Sequence, residues 1–429
     1  MTHRQAGKIM TIEITVPGSK SITQRALVTA ALAKGESCLS SALDSEDTRL
    51  LRNGLRQFGV AIDDSSDPWT IHGTAGRLKE PSNEIFMGNN GTGIRFLISV
   101  AALVRGTSIL SGSKRMEERP AGPLLEALSQ LGVEAVSIKG TGCPPVKITS
   151  NGLSGGKVRL SASISSQFLS SILLVAPCAA EPLSIVLDGK LVSRPYVDIT
   201  KKVMKDFGIE VRESGDTFVV PKSFYQGRPY QIEADASSAS YFLAAAAVTG
   251  RAVRIKNLPP DPIQGDAYFA NILAQMGCRV QRNEKGTLVQ GPEKGQLKAI
   301  EIDMGKWPDV VPTLAVTAAF AQGETKITNV AHLRIKETDR IKAVVTELNR
   351  IGVEARELED GLTVKGPCRD MKAGLIHTYD DHRIAMSFAV LGLRVENLKF
   401  DDKAVVAKSF PDFWQRWDRL TSALKRNGS

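Results

Sequence analysis

Apolar stretches of helix length recur along this chain at an almost constant interval. Each is introduced by a few small polar residues or glycines and is followed by a turn and a β-like run. Six stretches share the pattern: SKSITQRALVTAALAKGES from Ser19, NNGTGIRFLISVAALVRGTSIL from Asn89, SSQFLSSILLVAPCAAEPLSI from Ser165, ASSASYFLAAAAVTGRAVRI from Ala236, WPDVVPTLAVTAAFAQGETKI from Trp307 and DDHRIAMSFAVLGLRVENLKF from Asp380. Their starts lie 70, 76, 71, 71 and 73 residues apart, the mark of a repeated supersecondary unit. Tyr241 to Val248 is apolar on every side, which predicts a buried helix. Between these stretches lies a second kind of helix with one polar face, as in DTRLLRNGLRQFGVAI from Asp47, RPAGPLLEALSQLGVEA from Arg119, RPYVDITKKVMKDFGIEV from Arg194 and KETDRIKAVVTELNRIGVEA from Lys336. Alternating runs such as Ile12, Ile14, Val16 and Val158, Leu160 predict strands.

The unit therefore reads approximately as β-α-β-α-β-β, repeated six times, in an α/β chain. Six such units exceed one core, so two domains of three units each are expected. Residues 21–233 form one, and residues 1–20 with 234–429 form the other. The crossing points fall near Ser19 to Lys20 and Gln231 to Asp235, and if the first strand, Met10 to Val16, pairs with the second half, the chain crosses between domains twice.

Composition narrows the function. The 429 residues are 42% apolar and include 37 glycines, ordinary for a globular protein with sizeable cores. The longest apolar stretches fall well short of a membrane span. The N-terminal MTHRQAGKIM carries no apolar signal-peptide region, so a cytoplasmic location without membrane attachment is expected. Five scattered cysteines, Cys38, Cys143, Cys178, Cys278 and Cys368, form no CxxC pair, which argues against a disulfide framework or a metal site and for reduced, mostly buried thiols. The net charge of +9 fits nucleic acid, an anionic surface or small acidic substrates equally. Aromatics are only 6% and basic residues never run beyond short pairs, which disfavours nucleic acid. Small polyanionic substrates remain.

The polar starts of the apolar helices are the candidate chemistry. Ser, Asn and Asp there are ordinary N-caps, but charge is added to them: Lys20 and Arg25 flank the first, Arg95 follows the second, and Arg383 follows Asp381 and His382 in the sixth. Helix N-termini with added Lys and Arg make strong anion sites. GNNGTG, Gly88 to Gly93, matches neither a dinucleotide nor a P-loop pattern. LRIKETDRI, Leu333 to Ile341, is expected to place Lys336, Glu337 and Arg340 within one helical turn. Asp309, between Pro308 and Pro312, serves either as an N-cap or in proton transfer.

These residues carry a resemblance. PGSKS at Pro17 to Ser21, NNGTGIR at Asn89 to Arg95, ERP at Glu118 to Pro120, SSQ at Ser165 to Gln167 and SRPY at Ser193 to Tyr196 resemble the motifs of the enolpyruvyl transferases acting on shikimate 3-phosphate. So do DASSAS at Asp235 to Ser240, RIKETDR at Arg334 to Arg340, DHRIAM at Asp381 to Met386 and KSFPD at Lys408 to Asp412. The resemblance implies two similar domains, each of three βαβαββ units in an inside-out, pseudo-threefold α/β arrangement, with the active site in the interdomain cleft. It implies transfer of the enolpyruvyl group of phosphoenolpyruvate to the 5-hydroxyl of shikimate 3-phosphate, by a monomer with no metal or organic cofactor.

Carried over by position, Lys20, Ser21, Arg25, Ser165, Ser166, Gln167, Ser193, Tyr196, Asp309 and Lys336 resemble the shikimate 3-phosphate contacts. Lys20, Gly91, Arg119, Gln167, Arg340, Arg383 and Lys408 resemble the phosphoenolpyruvate site, with Asp309 and Glu337 as the acid/base pair and Lys20 beside them. Asn90, Gly93, Ile94 and His332 depart from the family's usual residues. Glyphosate in this family lies beside the position of Gly91. The alternatives are the sister transferase acting on UDP-N-acetylglucosamine, a non-catalytic phosphometabolite-binding protein, and a nucleic-acid-binding repeat protein.

Overall fold

The computed structural model describes residues 11–293 and 296–426, so the expected start of the first strand at Met10 lies outside the described residues. Among them the α-helices are α1 (Lys20–Leu32), α2 (Glu46–Gln57), α3 (Gly91–Ala101), α4 (Gly122–Gln130), α5 (Ser166–Val175), α6 (Arg194–Asp206), α7 (Ala236–Thr249), α8 (Phe269–Gln275), α9 (Val311–Ala318), α10 (Arg340–Arg350), α11 (His382–Leu391) and α12 (Phe413–Arg426). The chain divides into two compact units. One comprises Pro17–Glu233 with Ile335–Glu337; the other comprises the described residues up to Val16, Ala234–Arg334 and those from Thr338 onward.

In the Pro17–Glu233 unit the three apolar helices α1, α3 and α5 pack on one another, and Ser99 of α3 meets Ser171 of α5 hydroxyl to hydroxyl at 2.9 Å. In the other unit α7, α9 and α11 do the same. There the buried hydroxyls of Ser240, Thr313 and Ser387 form a chain at 3.1 and 3.3 Å. Their spacings of 73 and 74 residues match the sequence repeat. Small hydroxyl residues let these helices approach closely while satisfying their own polar atoms inside an apolar core. In α7 every residue from Ala236 to Val248 is buried, so the helix that reads as apolar all round is buried all round. The amphipathic helices α2, α6 and α10 instead bury one face.

Each full sheet joins a parallel pair to an antiparallel hairpin. Thr11–Ile14 runs parallel to Ala252–Ile255, which continues into Gly286–Gln290 and Arg279–Asn283. Reciprocally, Pro229–Gln231 runs parallel to Cys38–Ser40 of the strand Lys34–Ser40, which continues into Trp69–Thr74 and Ala61–Asp63. The N-terminal strand thus completes a sheet of the second half, and a strand preceding α7 completes the first sheet. The sixth repeat is abbreviated: among the described residues Leu375–Ile376 pairs only with Lys399–Phe400. The sequence beyond it explains why, because Phe413, Trp417 and Leu420 fall at helical rather than alternating spacing and bury one face of α12. Phe413 and Trp417 stack at 5.4 Å, and both rings meet Phe242 of α7, at 6.1 and 5.6 Å.

A second departure concerns RIKETDR. Its helix begins at Arg340, not at Lys336, because Asp339 caps it by accepting from the Lys342 N–H at 3.0 Å. Lys336 and Glu337 lie outside the helix and do not share a helical face with Arg340. The thiols also differ from expectation: all five are free, but only Cys278 is buried, the other four being half-buried. No helix among the described residues is long and apolar enough to cross a membrane.

Phe413→Ala removes the ring on which this aromatic cluster converges. It is expected to destabilise its unit by about 3–5 kcal/mol, read by urea unfolding; a loss under about 1 kcal/mol would exclude α12 from the core.

Candidate active site

The polar helix starts become two constellations, one in each unit. In the Pro17–Glu233 unit, Ser19 caps α1 and Lys20 is its first residue. The Lys20 ammonium bonds Asp47, in the first turn of α2, at 2.9 Å. Asn90 caps α3 by accepting from the Gly93 N–H at 2.8 Å, while its amide donates to the Asp47 carbonyl at 2.7 Å. The bulk of Asn90 is therefore turned into the protein body, where it ties the glycine loop to α2. Arg119 spans that loop, donating to the Asn89 carbonyl at 2.9 Å and to its side-chain oxygen at 3.0 Å. Gly91 lies against this guanidinium, and a Cβ added there would stand 2.3 Å from Arg119 Nη2.

Arg95 lies behind Gly91. It donates to the Gly91 carbonyl at 3.1 Å, to Gln167 Oε1 at 2.7 Å and to the Pro120 carbonyl at 2.8 Å. Gln167 in turn donates to Thr92 at 2.9 Å, so the first turns of α3 and α5 are joined side chain to side chain, with Ser165 capping α5 and Ser166 next to it. Burial, and then the charge of Arg119, lowers Arg95 to about 9, which leaves it charged at neutral pH.

Arg25 is buried and lowered to about 10 by desolvation. Its donors go to Thr200 at 2.7 Å, the Ser21 carbonyl at 2.8 Å and the Tyr196 carbonyl at 3.0 Å. Its role in this structure is thus to fasten α1 to α6 and to orient Ser21 and Tyr196. Ser193 precedes α6 in a left-handed conformation, φ 51°, and makes no side-chain cap. The segment Ile335–Glu337 belongs to this unit, where Arg115 donates to the Lys336 carbonyl at 3.0 and 3.2 Å. Glu337 is close enough to Arg95 to act on it electrostatically.

In the other unit the centre is Asp309. It sits in a single 3-10 turn, Pro308–Val310, and does not cap α9. Its oxygens take Arg340 at 3.1 Å and Arg383 at 2.8 Å. Arg340 also grips Asp381, the cap of α11, at 2.8 Å. Arg340 and Asp381 are almost wholly buried, and removing one partner of such a pair leaves a costly uncompensated charge. Arg383 reaches Ser237 and Tyr241 of α7 at 3.5 Å. Lys408 is buried at the end of the turn Ala404–Lys408, which packs on α11, and the half-buried His332 lies in Ala331–Ile335.

Asp309, Arg340 and Arg383 are thus brought together, as are Lys20, Gly91, Arg119 and Gln167. Asp47, Asp381 as a clamp, and Asp266 carry no local sequence signal, because their partners are 27 to 41 residues away. Asp266 is buried and takes the Ser237 hydroxyl; burial, and then the nearby Asp309 charge, pushes it up to about 7.

The family model for EPSP synthase (3-phosphoshikimate 1-carboxyvinyltransferase) matches residues 5–417. The 3-phosphoshikimate 1-carboxyvinyltransferase of Syntrophobacter fumaroxidans is 43% identical over 412 residues, covering 96% of this chain and 97% of that one. The protein of the same name from Methanothermobacter thermautotrophicus is 42% identical over 403 residues, 94% of each. Among solved structures, EPSP synthase from Acinetobacter baumannii matches with a TM-score of 0.79 at 29% identity, covering 96% of both chains. The enolpyruvyl transferase NikO from Streptomyces tendae, at 18% identity and a TM-score of 0.74 over 96% of this chain and 95% of that one, shares the fold.

The raised proton affinity of Asp266 has a sign that can be checked. A carboxyl raised in the folded state contributes stability below its unfolded value, near 3.8, that is lost as pH rises through about 7. Asp266→Asn should therefore gain melting temperature relative to the parent at pH 8, gain less near pH 5, and gain least below about pH 4. A difference independent of pH would remove the buried ionisation.

Proposed function

The chain belongs to the EPSP synthase (3-phosphoshikimate 1-carboxyvinyltransferase) family and is a transferase, and we propose that it transfers the enolpyruvyl group of phosphoenolpyruvate to the 5-hydroxyl of shikimate 3-phosphate, releasing phosphate. The hydroxyl oxygen adds to C2 of phosphoenolpyruvate and loses its proton, while the methylene carbon gains one and becomes methyl. The tetrahedral intermediate then loses a methyl proton and expels phosphate. Asp309 and Glu337 are the groups assigned to these proton transfers. Because the steps are addition of the hydroxyl oxygen to C2, proton transfers and departure of phosphate, with no net oxidation or reduction, no cofactor enters this reading. The enzyme is assigned to the cytoplasm, acting as a single chain.

The observation that carries the assignment of Asp309 is its placement between Arg340 and Arg383 in place of the cap it was free to make. A carboxylate used only for capping would not need two guanidiniums that are themselves suited to phosphate and carboxylate. Arg340, Arg383, Lys408, Lys20, Gly91, Arg119 and Gln167 are assigned to phosphoenolpyruvate. Lys20, Ser21, Arg25, Ser165, Ser166, Gln167, Ser193, Tyr196, Asp309 and Lys336 are assigned to shikimate 3-phosphate, Arg25 by orienting its neighbours. Developing charge in the intermediate is stabilised by the cations already held in place.

Phosphate release should require both substrates, and UDP-N-acetylglucosamine should not replace shikimate 3-phosphate; release with either substrate alone would overturn the reaction. Asp309→Asn and Glu337→Gln should lower kcat by about a hundredfold to ten-thousandfold with smaller changes in KM. Near-normal kcat in both would remove them from proton transfer.

Gly91→Ala drives a methyl into the Arg119 guanidinium, so KM for phosphoenolpyruvate should rise by about tenfold as that charge-assisted contact is displaced. Inhibition by glyphosate, expected to compete with phosphoenolpyruvate, should weaken with it. An unchanged KM would show that Arg119 yields without cost.

A further inference from the structure

Helix α10 grips one short segment, His377–Asp381, at both of its ends. At the helix start, Arg340 holds Asp381 through Nε–Oδ2 at 2.8 Å and Nη2–Oδ1 at 3.3 Å. Seven residues on, and so on the same face two turns later, Glu347 is completely buried. It accepts the Tyr379 phenol O–H at 2.6 Å and the His377 N–H at 3.1 Å, and pairs with Arg350 at 3.1 Å. A carboxylate without water is tolerated only when its acceptor sites are filled, and Glu347 fills them largely from this segment. Asp401 holds the same segment from the other side, taking the Thr378 N–H at 2.9 Å and hydroxyl at 2.8 Å, and meeting His377 Nδ1 at 3.0 Å.

Between the two grips the backbone is in a conformation that residues with a Cβ avoid. Tyr379 and Asp380 are consecutive left-handed residues, with φ of 55° and 53°, and neither is glycine. Such residues persist where surrounding contacts over-determine them, and they gather at functional sites. The next residue is Asp381, which caps α11 by accepting the Arg383 N–H at 2.9 Å. The left-handed pair thus fixes where Asp381 meets Arg340 and where α11 begins, and with it the Arg383 guanidinium that holds Asp309 at 2.8 Å.

We propose that Glu347 and Tyr379 are positioning residues for the phosphoenolpyruvate end of the site: their hydrogen bond holds the left-handed turn that aims Asp381 and Arg383. The inference rests on the assignment of Arg383 to phosphoenolpyruvate made above. Burial and the Glu347 carboxylate push the Tyr379 phenol up to about 12, so it keeps the proton it donates across the working pH range.

Tyr379→Phe deletes only the donated O–H, and because the ring is partly exposed the variant leaves no cavity; Glu347→Gln keeps the volume and removes the charge. Each should raise KM for phosphoenolpyruvate by about tenfold to a hundredfold, the range expected for a lost hydrogen bond to a charged group, with KM for shikimate 3-phosphate changed by less than about twofold. The double variant should be no worse than the worse single, since both break one contact. A purely structural role would lower the melting temperature and leave both KM values alone, and that outcome in Tyr379→Phe overturns the inference even if Glu347→Gln fails to fold. Arg383→Ala separates the two levels. If it raises KM for phosphoenolpyruvate while Tyr379→Phe does not, the positioning role alone falls; if Arg383→Ala leaves that KM unchanged, the site assignment and the inference fall together.

Discussion

Burying three apolar helices in the middle of each unit is the constraint from which the site follows. A helix can hide its apolar sides, but its first turn keeps backbone N–H groups with no partner inside the helix. These need side-chain oxygens, water or a ligand, so polar residues collect at the helix starts. Ser19, Asn90 and Ser165 cap α1, α3 and α5, and Asp235 and Asp381 cap α7 and α11. Because the helices pack directly on one another, those starts become neighbours. The Arg95–Gln167 bond between α3 and α5, and the Arg383–Ser237 approach between α11 and α7, are consequences of that packing.

Placing arginines at those starts is costly, and stability does not explain it. Arg25 and Arg95 are lowered to about 10 and about 9, chiefly by loss of water, and a buried ion pair such as Arg340–Asp381 is often no more stabilising than apolar side chains of the same size. What the arrangement provides is rigidity. Arg95 has its donors directed to Gly91, Gln167 and Pro120, and Arg340 to Asp309 and Asp381. Cations held this firmly require little reorganisation when negative charge develops beside them. Asp266 shows the other side of the same low-dielectric environment, where a carboxylate facing Asp309 retains its proton to about 7.

What was legible in the sequence is what depends on local periodicity. The repeat of about 70 residues, the buried and amphipathic helix classes and the charged helix starts each leave a signal within one stretch of chain. Strand partnership leaves none: Ile12 alternates with Ile14 whichever sheet receives them, so the pairing of Thr11–Ile14 with Ala252–Ile255 could be stated beforehand only as a condition. The same limit hid Asp47 behind Lys20 and Glu347 behind Tyr379, pairs 27 and 32 residues apart. Asp309 misled in the opposite direction. Its position ahead of an apolar helix invites a capping role, yet it lies inside the 3-10 turn that leads into α9, Val310 takes the cap position, and the Asp309 carboxylate goes to two arginines.

RIKETDR shows how one residue decides what a motif becomes. Had the helix run back to Lys336, its side chain and that of Arg340 would share a face, and the seven residues would form a single rigid element. Asp339 prevents this, because its carboxylate satisfies the Lys342 N–H and ends the helix at Arg340. It also receives Arg334 at 3.0 Å, so the chain is pinned on the two sides of the short span Ile335–Glu337. That span is then available to the Pro17–Glu233 unit, where Arg115 takes the Lys336 carbonyl, while Arg334 and Arg340 remain with the other. A stretch of seven residues can serve both units only because the cap interrupts it. In this chain the local order of RIKETDR thus serves backbone geometry, through the Asp339 cap, as much as the charged side chains it carries.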